Sequence, residues 1–271
     1  MNSLRLRFAT AICFALSLLS AGAQDSKPDT LRVLCYNIHW CLGTDGKYDV
    51  DRIANVIKEA KPDLVAIQEI DVGVERSGRV HEAQRLAELT GMAVRLGPTQ
   101  AYQGGLFGNA VLTNLPITDV QIHPLPYTES TPELVTYPRG AIAVTVTTKS
   151  GKPLRFISTH FQHNVHEDRV AQAKAINDLF AGEDDDIPTI LAGDMNAKPE
   201  EEPILQLLKK WTNAIEDPPA PTAPSKNPRS RIDYIFYRPG AAFELKETKV
   251  IDEKVASDHL PVFAVLELKA E

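Results

Sequence analysis

The sequence predicts an α+β fold in which two β-sheets pack together and helices lie outside them. Strand-like runs recur along the whole chain, and only about four segments carry helical periodicity. The composition, 43% hydrophobic and 24% charged over 271 residues, is that of an ordinary globular protein with enough chain for a large core. No repeat, low-complexity tract or composition break marks a linker, so residues 28–271 read as one domain.

The elements follow in order. Leu31 to Ile38 (LRVLCYNI) is β-branched and apolar, a strand. Asp51 to Ala60 places Ile53, Val56, Ile57 and Ala60 on one helical face, and Pro62 ends the helix. Asp63 to Gln68 (DLVAIQ) is a buried strand. His81 to Thr90 is a helix stopped by Gly91. Strands are expected at 93–96, 107–113, 117–125, 141–148 and 154–158, with turns at Leu115-Pro116 and Lys149-Ser150-Gly151. Glu167 to Phe180 is helical, with Ala173, Ile176, Leu179 and Phe180 on its apolar side. A strand over 187–192 precedes a helix carrying Ile204, Leu207, Leu208 and Trp211, with Pro199 and Pro203 near its start. A proline-rich loop over 217–228 leads to strands at 232–237, 243–251 and 262–268.

The first 23 residues read as an export signal. Arg5 and Arg7 precede an apolar run from Phe8 to Leu19, too short to span a bilayer, and Ala21-Gly22-Ala23 makes a small-residue cleavage site. The expected location is the periplasm or the extracellular space, with no membrane segment in the mature chain. The formal charge of −7 becomes −9 once Arg5 and Arg7 are removed. That balance argues against affinity for nucleic acid driven mainly by phosphate neutralisation. Cys35 and Cys41 remain after cleavage. Cys35 sits in an apolar run, so two unbridged thiols are expected rather than a disulfide.

Polar residues gather where strand runs end: Asn37 in LCYNIH, Glu69 in AIQEI, His160 in STHF, Asp194 and Asn196 in AGDMNA, Asp233 in RIDYIF, and Asp258-His259 in SDHLP. A carboxylate delivered to the end of a buried strand keeps its charge only if paired or bound to a metal. For Glu69 the plain alternative is an ion pair with Arg76 or Arg79. An amide and a carboxylate, Asn37 and Glu69, form the sparse hard-oxygen set that Mg²⁺ accepts while water and phosphate fill its other positions. Asp194 and Asn196, two apart, point the same way on an extended backbone, though Asp-x-Asn is also an Asx-turn signature. Asp233 on a neighbouring strand can orient His259 as a carboxylate orients a triad imidazole. The other histidines, His39, His81, His123, His163 and His166, read as ordinary core or surface residues.

Taken together and in this order, these motifs resemble the endonuclease/exonuclease/phosphatase superfamily, which includes deoxyribonuclease I-like nucleases, inositol polyphosphate phosphatases and neutral sphingomyelinases. The resemblance spans Leu31 to Leu268; FGNAVLTNLPI and TYPRGAIAV also match family strands. It implies a four-layer αββα sandwich of two mixed sheets and a metal-dependent phosphoric ester hydrolase using Mg²⁺, with Mn²⁺ as a substitute. By motif, Asn37 and Glu69 would bind the metal, and Asp258 would orient the site or help a second ion. His160 would contact the scissile phosphate. Asp194 and Asn196 would position nucleophile and phosphate, and Asp233 with His259 would form the acid–base pair. Asn109 and Arg139 would contact substrate. Between Asp194 and His259 as base, His259 is favoured because imidazole titrates near working pH.

The expected activity is hydrolysis of a phosphodiester of nucleic-acid or phospholipid type by a monomer. The alternatives are a monoesterase on a soluble or inositol-type phosphate and a non-catalytic binding protein. Trp40, Leu42, Tyr102, Leu106 and Phe107 fall in loop-like stretches where they could meet a lipid, although a core position is the plainer reading of Leu106 and Phe107.

Overall fold

The computed structural model describes residues 28–269. The export signal expected over residues 1–23 lies outside the described residues. The chain runs β1 (Asp29–Asn37), α1 (Val50–Ala60), β2 (Leu64–Val72), α2 (Glu82–Thr90), β3 (Ala93–Tyr102) and β4 (Gly105–Thr113). It continues with β5 (Ile117–Leu125), β6 (Arg139–Thr147), β7 (Pro153–His160), α3 (His166–Phe180), β8 (Thr189–Asp194), α4 (Glu202–Leu208), β9 (Thr212–Asn213) and β10 (Asp233–Arg238). It closes with β11 (Phe243–Val250) and β12 (Val262–Leu268).

Two six-stranded sheets result, ordered β11-β12-β1-β2-β4-β3 and β5-β6-β7-β8-β10-β9. Each holds one parallel pair, β1 with β2 and β7 with β8, linked through a helix; the other pairings are antiparallel. The four expected layers are present. Alternation along β1 explains them: Val33 and Cys35 face the second sheet, while Leu34 and Tyr36 face the helices. Between the sheets, Val33, Leu64 and Ala66 meet Ile142, Val144 and Phe156. Ile53, Ile57 and Leu86 of α1 and α2 cover the first sheet, and Ile176, Phe180 and Leu207 of α3 and α4 cover the second.

The helix ends obey local chemistry. Asp49 caps α1 by accepting from Arg52 N at 2.9 Å, and Gly91 ends α2 at φ 74°. Pro203 lies at the start of α4, as expected, but Trp211 lies beyond the helix, which stops at Leu208. Edge strand β3 runs on past Leu96 to Tyr102. It tolerates Pro98 because a register shift follows at 98–100 and, among the described residues, no strand lies beyond it. The two-residue β9 was not visible in the periodicity. Cys35 and Cys41 are both free and buried.

A polar bridge joins the sheets. Gln68 Nε2 donates to Ser158 Oγ at 3.1 Å, and that hydroxyl donates to Ile67 O at 2.9 Å, all of it buried. Gly193 allows β8 to lie close against β7, since a Cβ there would collide with the Thr159 carbonyl.

Candidate active site

Strand direction gathers the polar motifs. Asn37 ends β1, His160 ends β7 and Asp194 ends β8, while the antiparallel strands β6, β10 and β12 bring Arg139, Asp233 and the segment before Val262 to the same edge. His160 is in register with Asp194, and Asp194 with Asp233. The first sheet supplies Asn37 and Glu69. The second supplies Arg139, His160, Asp194 and Asp233.

Glu69 is not at a strand end. β2 continues to Val72, and the register shifts between Gln68 and Ile70, with Glu69 at φ 59°. This bulge turns the carboxylate out of the ladder and into the cavity. A left-handed non-glycine residue costs about 1–2 kcal/mol, and such residues cluster at this edge: His39, Trp40, Cys41, Glu69 and Asn196 all have positive φ. The ion-pair alternative for Glu69 fails. Arg76 Nε binds Asp71 at 2.9 Å, and Arg79 reaches Glu75 at 3.5 Å.

Asp194 Oδ2 is the centre of the site. It lies 3.1 Å from Asn37 Nδ2, 3.4 Å from His160 Nε2 and 3.7 Å from His259 Nε2. Its other oxygen accepts Asn196 N at 2.9 Å, so the Asx-turn is formed as well as the polar cluster. Burial, then the neighbouring Asp233, pushes the Asp194 carboxyl up to about 7.

The two imidazoles differ. His160 is enclosed, with Arg139 Nη1 at 3.0 Å from Nδ1. A guanidinium can only donate, so Nδ1 is the acceptor and Nε2 carries the hydrogen. Burial and then Arg139 hold this ring well below the usual histidine range, hence neutral. Asn196 Nδ2, 3.0 Å from the same Nε2, donates instead to Phe161 O at 3.1 Å. His259 Nδ1 meets Asp233 Oδ2 at 2.9 Å. Burial opposes its charge, but Asp233 and Asp194 together outweigh burial and raise its pKa well above the usual value. His259 is therefore imidazolium at neutral pH.

Arg139 is buried and makes no ion pair among the described residues, and its Nε has no hydrogen-bond partner. A buried guanidinium without an acid is set up to meet an anion. Asn109 stands behind the cavity wall, where its amide donates to Gly140 O at 2.9 Å, next to Arg139 in sequence. Asp258 turns aside, with Oδ1 at 3.7 Å from His39 Nδ1.

The donor set fits a small divalent cation. Glu69 Oε1 and Asp194 Oδ2 converge on Asn37 Nδ2, at 3.2 and 3.1 Å, and Asp233 adds a third carboxylate nearby. A cation beside them would relieve the repulsion that raises Asp194. Asn37 presents N–H to these carboxylates, while its Oδ1 accepts from His39 N at 3.0 Å. Ligation by Asn37 therefore requires the amide to turn over. Asp194, Asp233 and His259 also bring ligand atoms within 4.8 Å of one another, but Asp233 and His259 Nδ1 already bind each other.

A cavity of about 260 Å³ opens over the centre. Its walls include residues the motifs did not reveal: Arg76, Tyr102, Phe107, Tyr137 and His163. Arg76 is gripped by buried Asp71 and lies over the rings of Trp40, Tyr102 and Phe107, at 4.7, 4.8 and 5.3 Å. Trp40 thus supports the cavity from behind. Tyr137 stacks on His163 at 5.9 Å. Leu106 is exposed and Phe107 buried, so only the second takes the core position expected of both.

The model of the Endonuclease/Exonuclease/phosphatase family matches residues 34–259, which takes in every one of these clusters. The chain belongs to the endonuclease/exonuclease/phosphatase family. It is 26% identical to a family protein of Beutenbergia cavernae, over 89% of this chain and 72% of that one, with a TM-score of 0.72. A family protein of Bacteroides thetaiotaomicron is 19% identical over 90% of this chain and all of that one (100%), with a TM-score of 0.75. The mannosyl-6-phosphatase of the same organism is 20% identical over 87% of this chain and 99% of that one, with a TM-score of 0.69. The last two likenesses show the fold alone. Comparison with curated proteins returns no match. Membership of this family makes the protein a phosphoesterase, and the deoxyribonuclease I-like sandwich is its fold.

Proposed function

We propose that the protein is an exported, monomeric phosphodiesterase that uses Mg²⁺, or Mn²⁺ in its place. The observation that carries this reading is the setting of Asp194 Oδ2, within 4 Å of two imidazoles and an amide and beside a buried guanidinium that lacks an acid. Charge supports a diester. With the cation bound and Asp194 ionised, Glu69, Asp194 and Asp233 against Arg139, His259 and the divalent ion leave one positive charge, the complement of a singly charged diester. Export rests on the leader sequence alone.

Glu69, with Asn37 if its amide turns, would hold the cation, which when bound supplies positive charge at a phosphoryl oxygen. The protein's own groups do the rest. His160 donates its Nε2 hydrogen to a phosphoryl oxygen, and Arg139 and Asn196 add further donors where charge builds in the transition state. Asp233 fixes the His259 ring. Asp194 Oδ2 is the position from which a water can be held and deprotonated. His259 is already protonated there, so in this reading the base role favoured for it on sequence passes to Asp194, and His259 acts as the neighbouring positive charge. Water attacks phosphorus in line and the alkoxide departs on the opposite side.

The test is turnover of bis-p-nitrophenyl phosphate against p-nitrophenyl phosphate, with Mg²⁺ or Mn²⁺ and a chelator control. Diester hydrolysis that is lost with chelator, and in Glu69→Ala and His259→Ala, is expected. Monoester turnover alone would favour a second reading, a small-substrate monoesterase, which the compact cavity and the fold shared with a mannosyl-6-phosphatase make the next best. Silence on both esters would leave the non-catalytic binding protein.

A further inference from the structure

The cavity over Asp194 does not end at His259. A second cavity, of about 400 Å³, opens beyond it, and Asn196 and His259 line both. The two spaces, called lobes below, share these two side chains, which belong to the groups assigned to the scissile phosphate. Their chemistry differs. The first lobe is walled by the rings of Tyr102, Phe107 and Tyr137. The second has no such rings and carries Arg169 and Lys198.

Neither of these cations is used up by the fold. Arg169 donates through Nη1 to Gln162 O and His163 O, at 3.3 and 2.8 Å, and so is fixed in place, yet its buried Nε has no partner. No carboxylate among the described residues pairs with Arg169 or with the Lys198 ammonium. Two acids share the lobe, Glu201, which accepts Lys198 N at 3.1 Å, and Asp258, with Oδ1 at 3.7 Å from His39 Nδ1; against Arg169, Lys198 and His259 they leave the lobe one positive charge in excess.

We infer that the second lobe binds a further negatively charged group of the substrate, so that the preferred substrate is a phosphodiester with a ring on one side and a second phosphate on the other. This rests on the phosphodiesterase reading above and adds the substrate class. A monoester has nothing to place on one side of its phosphate, whereas the two lobes have chemically distinct walls. A 3′-phosphorylated nucleotide and a phosphorylated polyol share the required chemistry.

The test uses p-nitrophenyl esters of thymidine 5′-phosphate, with and without a 3′-phosphate. A second pair uses p-nitrophenyl glycerol phosphate, with and without a phosphate on its terminal hydroxyl. In each, water attacks the diester phosphorus and the P–O bond to the aryl group breaks, releasing nitrophenolate. The readout is the ratio of kcat/KM between the phosphorylated and unphosphorylated members of a pair. The ratio is expected to be about tenfold in the wild type. It should fall about threefold in Lys198→Gln, whose exposed ammonium touches no fold contact, and towards one in the Arg169→Gln, Lys198→Gln double variant. The pair with the larger ratio identifies the source, nucleotide or polyol. A wild-type ratio near one in both pairs, or a ratio that the substitutions leave unchanged, overturns the inference while the diesterase reading stands. No turnover of any of the four esters overturns both.

Discussion

At the scale of single residues, Asp194 concentrates the chemistry. Its neighbours in space come from the far ends of the chain, Asn37 at 157 positions' distance, and only the register of β7, β8 and β10 brings the two imidazoles to it. Folding raises its carboxyl from 3.8 to about 7. Between those values the folded state holds a proton that the unfolded state has lost. Without divalent cation, this contribution to stability is therefore present below about pH 4 and lost as pH rises through about 7. Asp194→Asn removes that titration. At pH 8 in chelator the variant should be more stable than wild type by on the order of 2–4 kcal/mol by urea melts, and should lose about 10²–10⁴-fold in kcat. A variant that lost stability and kept its activity would remove Asp194 from the centre.

At the scale of elements, the segment from the β2 bulge to α2 supports the aromatic wall through Arg76. It does so on buried charge. Asp71 and Glu82 are both fully buried, and Arg76 pairs with the first, while Asp71 N donates to Glu82 Oε2 at 2.8 Å. Arg76→Ala would leave Asp71 buried and unpaired, at a cost of about 3–5 kcal/mol, and would free Trp40 and Tyr102. Arg76→Lys should recover part of the stability but not the two-pronged grip. Burial, the largest effect, raises Glu82 from 4.5 to about 8. Its folded pKa lies above its unfolded one, so the segment's stability is full below about pH 4.5 and declines as pH rises through about 8. Glu82→Gln keeps an acceptor for Asp71 N and cannot ionise. Denaturation midpoints between pH 5 and pH 8 should fall in the wild type and fall less steeply in this variant, where only Asp194 still titrates of the two; parallel slopes would contradict the assignment.

The reach of sequence reasoning also divides at this scale. Period-two and helical patterns located most elements, and carboxylate, amide and imidazole at strand ends located Glu69, His160, Asp194 and Asp233. The bulge that aims Glu69 was hidden, because the polar residues Gln68, Glu69 and Asp71 read as the end of the strand rather than as its continuation. On sequence Arg76 was an ion-pair candidate for Glu69, and His163 an ordinary core or surface histidine. Only the approach of Trp40, Tyr102 and Phe107 to the first, and of Tyr137 to the second, puts them in the cavity wall, and no local spacing records those approaches. Nothing in the local sequence around Arg169, Lys198 and Ser230 showed that the three line one cavity.

At the scale of the molecule, a cation bound between the sheets should couple to folding. At about 100 times its dissociation constant, Mg²⁺ should stabilise the protein by about 2.7 kcal/mol, and Glu69→Ala should abolish that gain while leaving the cation-free melting temperature near wild type. A Mg²⁺-dependent shift that survived Glu69→Ala would place the cation elsewhere.

The Gln68–Ser158 bridge has a kinetic corollary. Each parallel pair with its helix can form from nearby chain, but neither carries a whole reaction centre, and the bridge forms only when one half closes on the other. After dilution from denaturant, the circular dichroism of helices should therefore return before catalysis does. Ser158→Ala, which touches no reacting atom, should lengthen that lag.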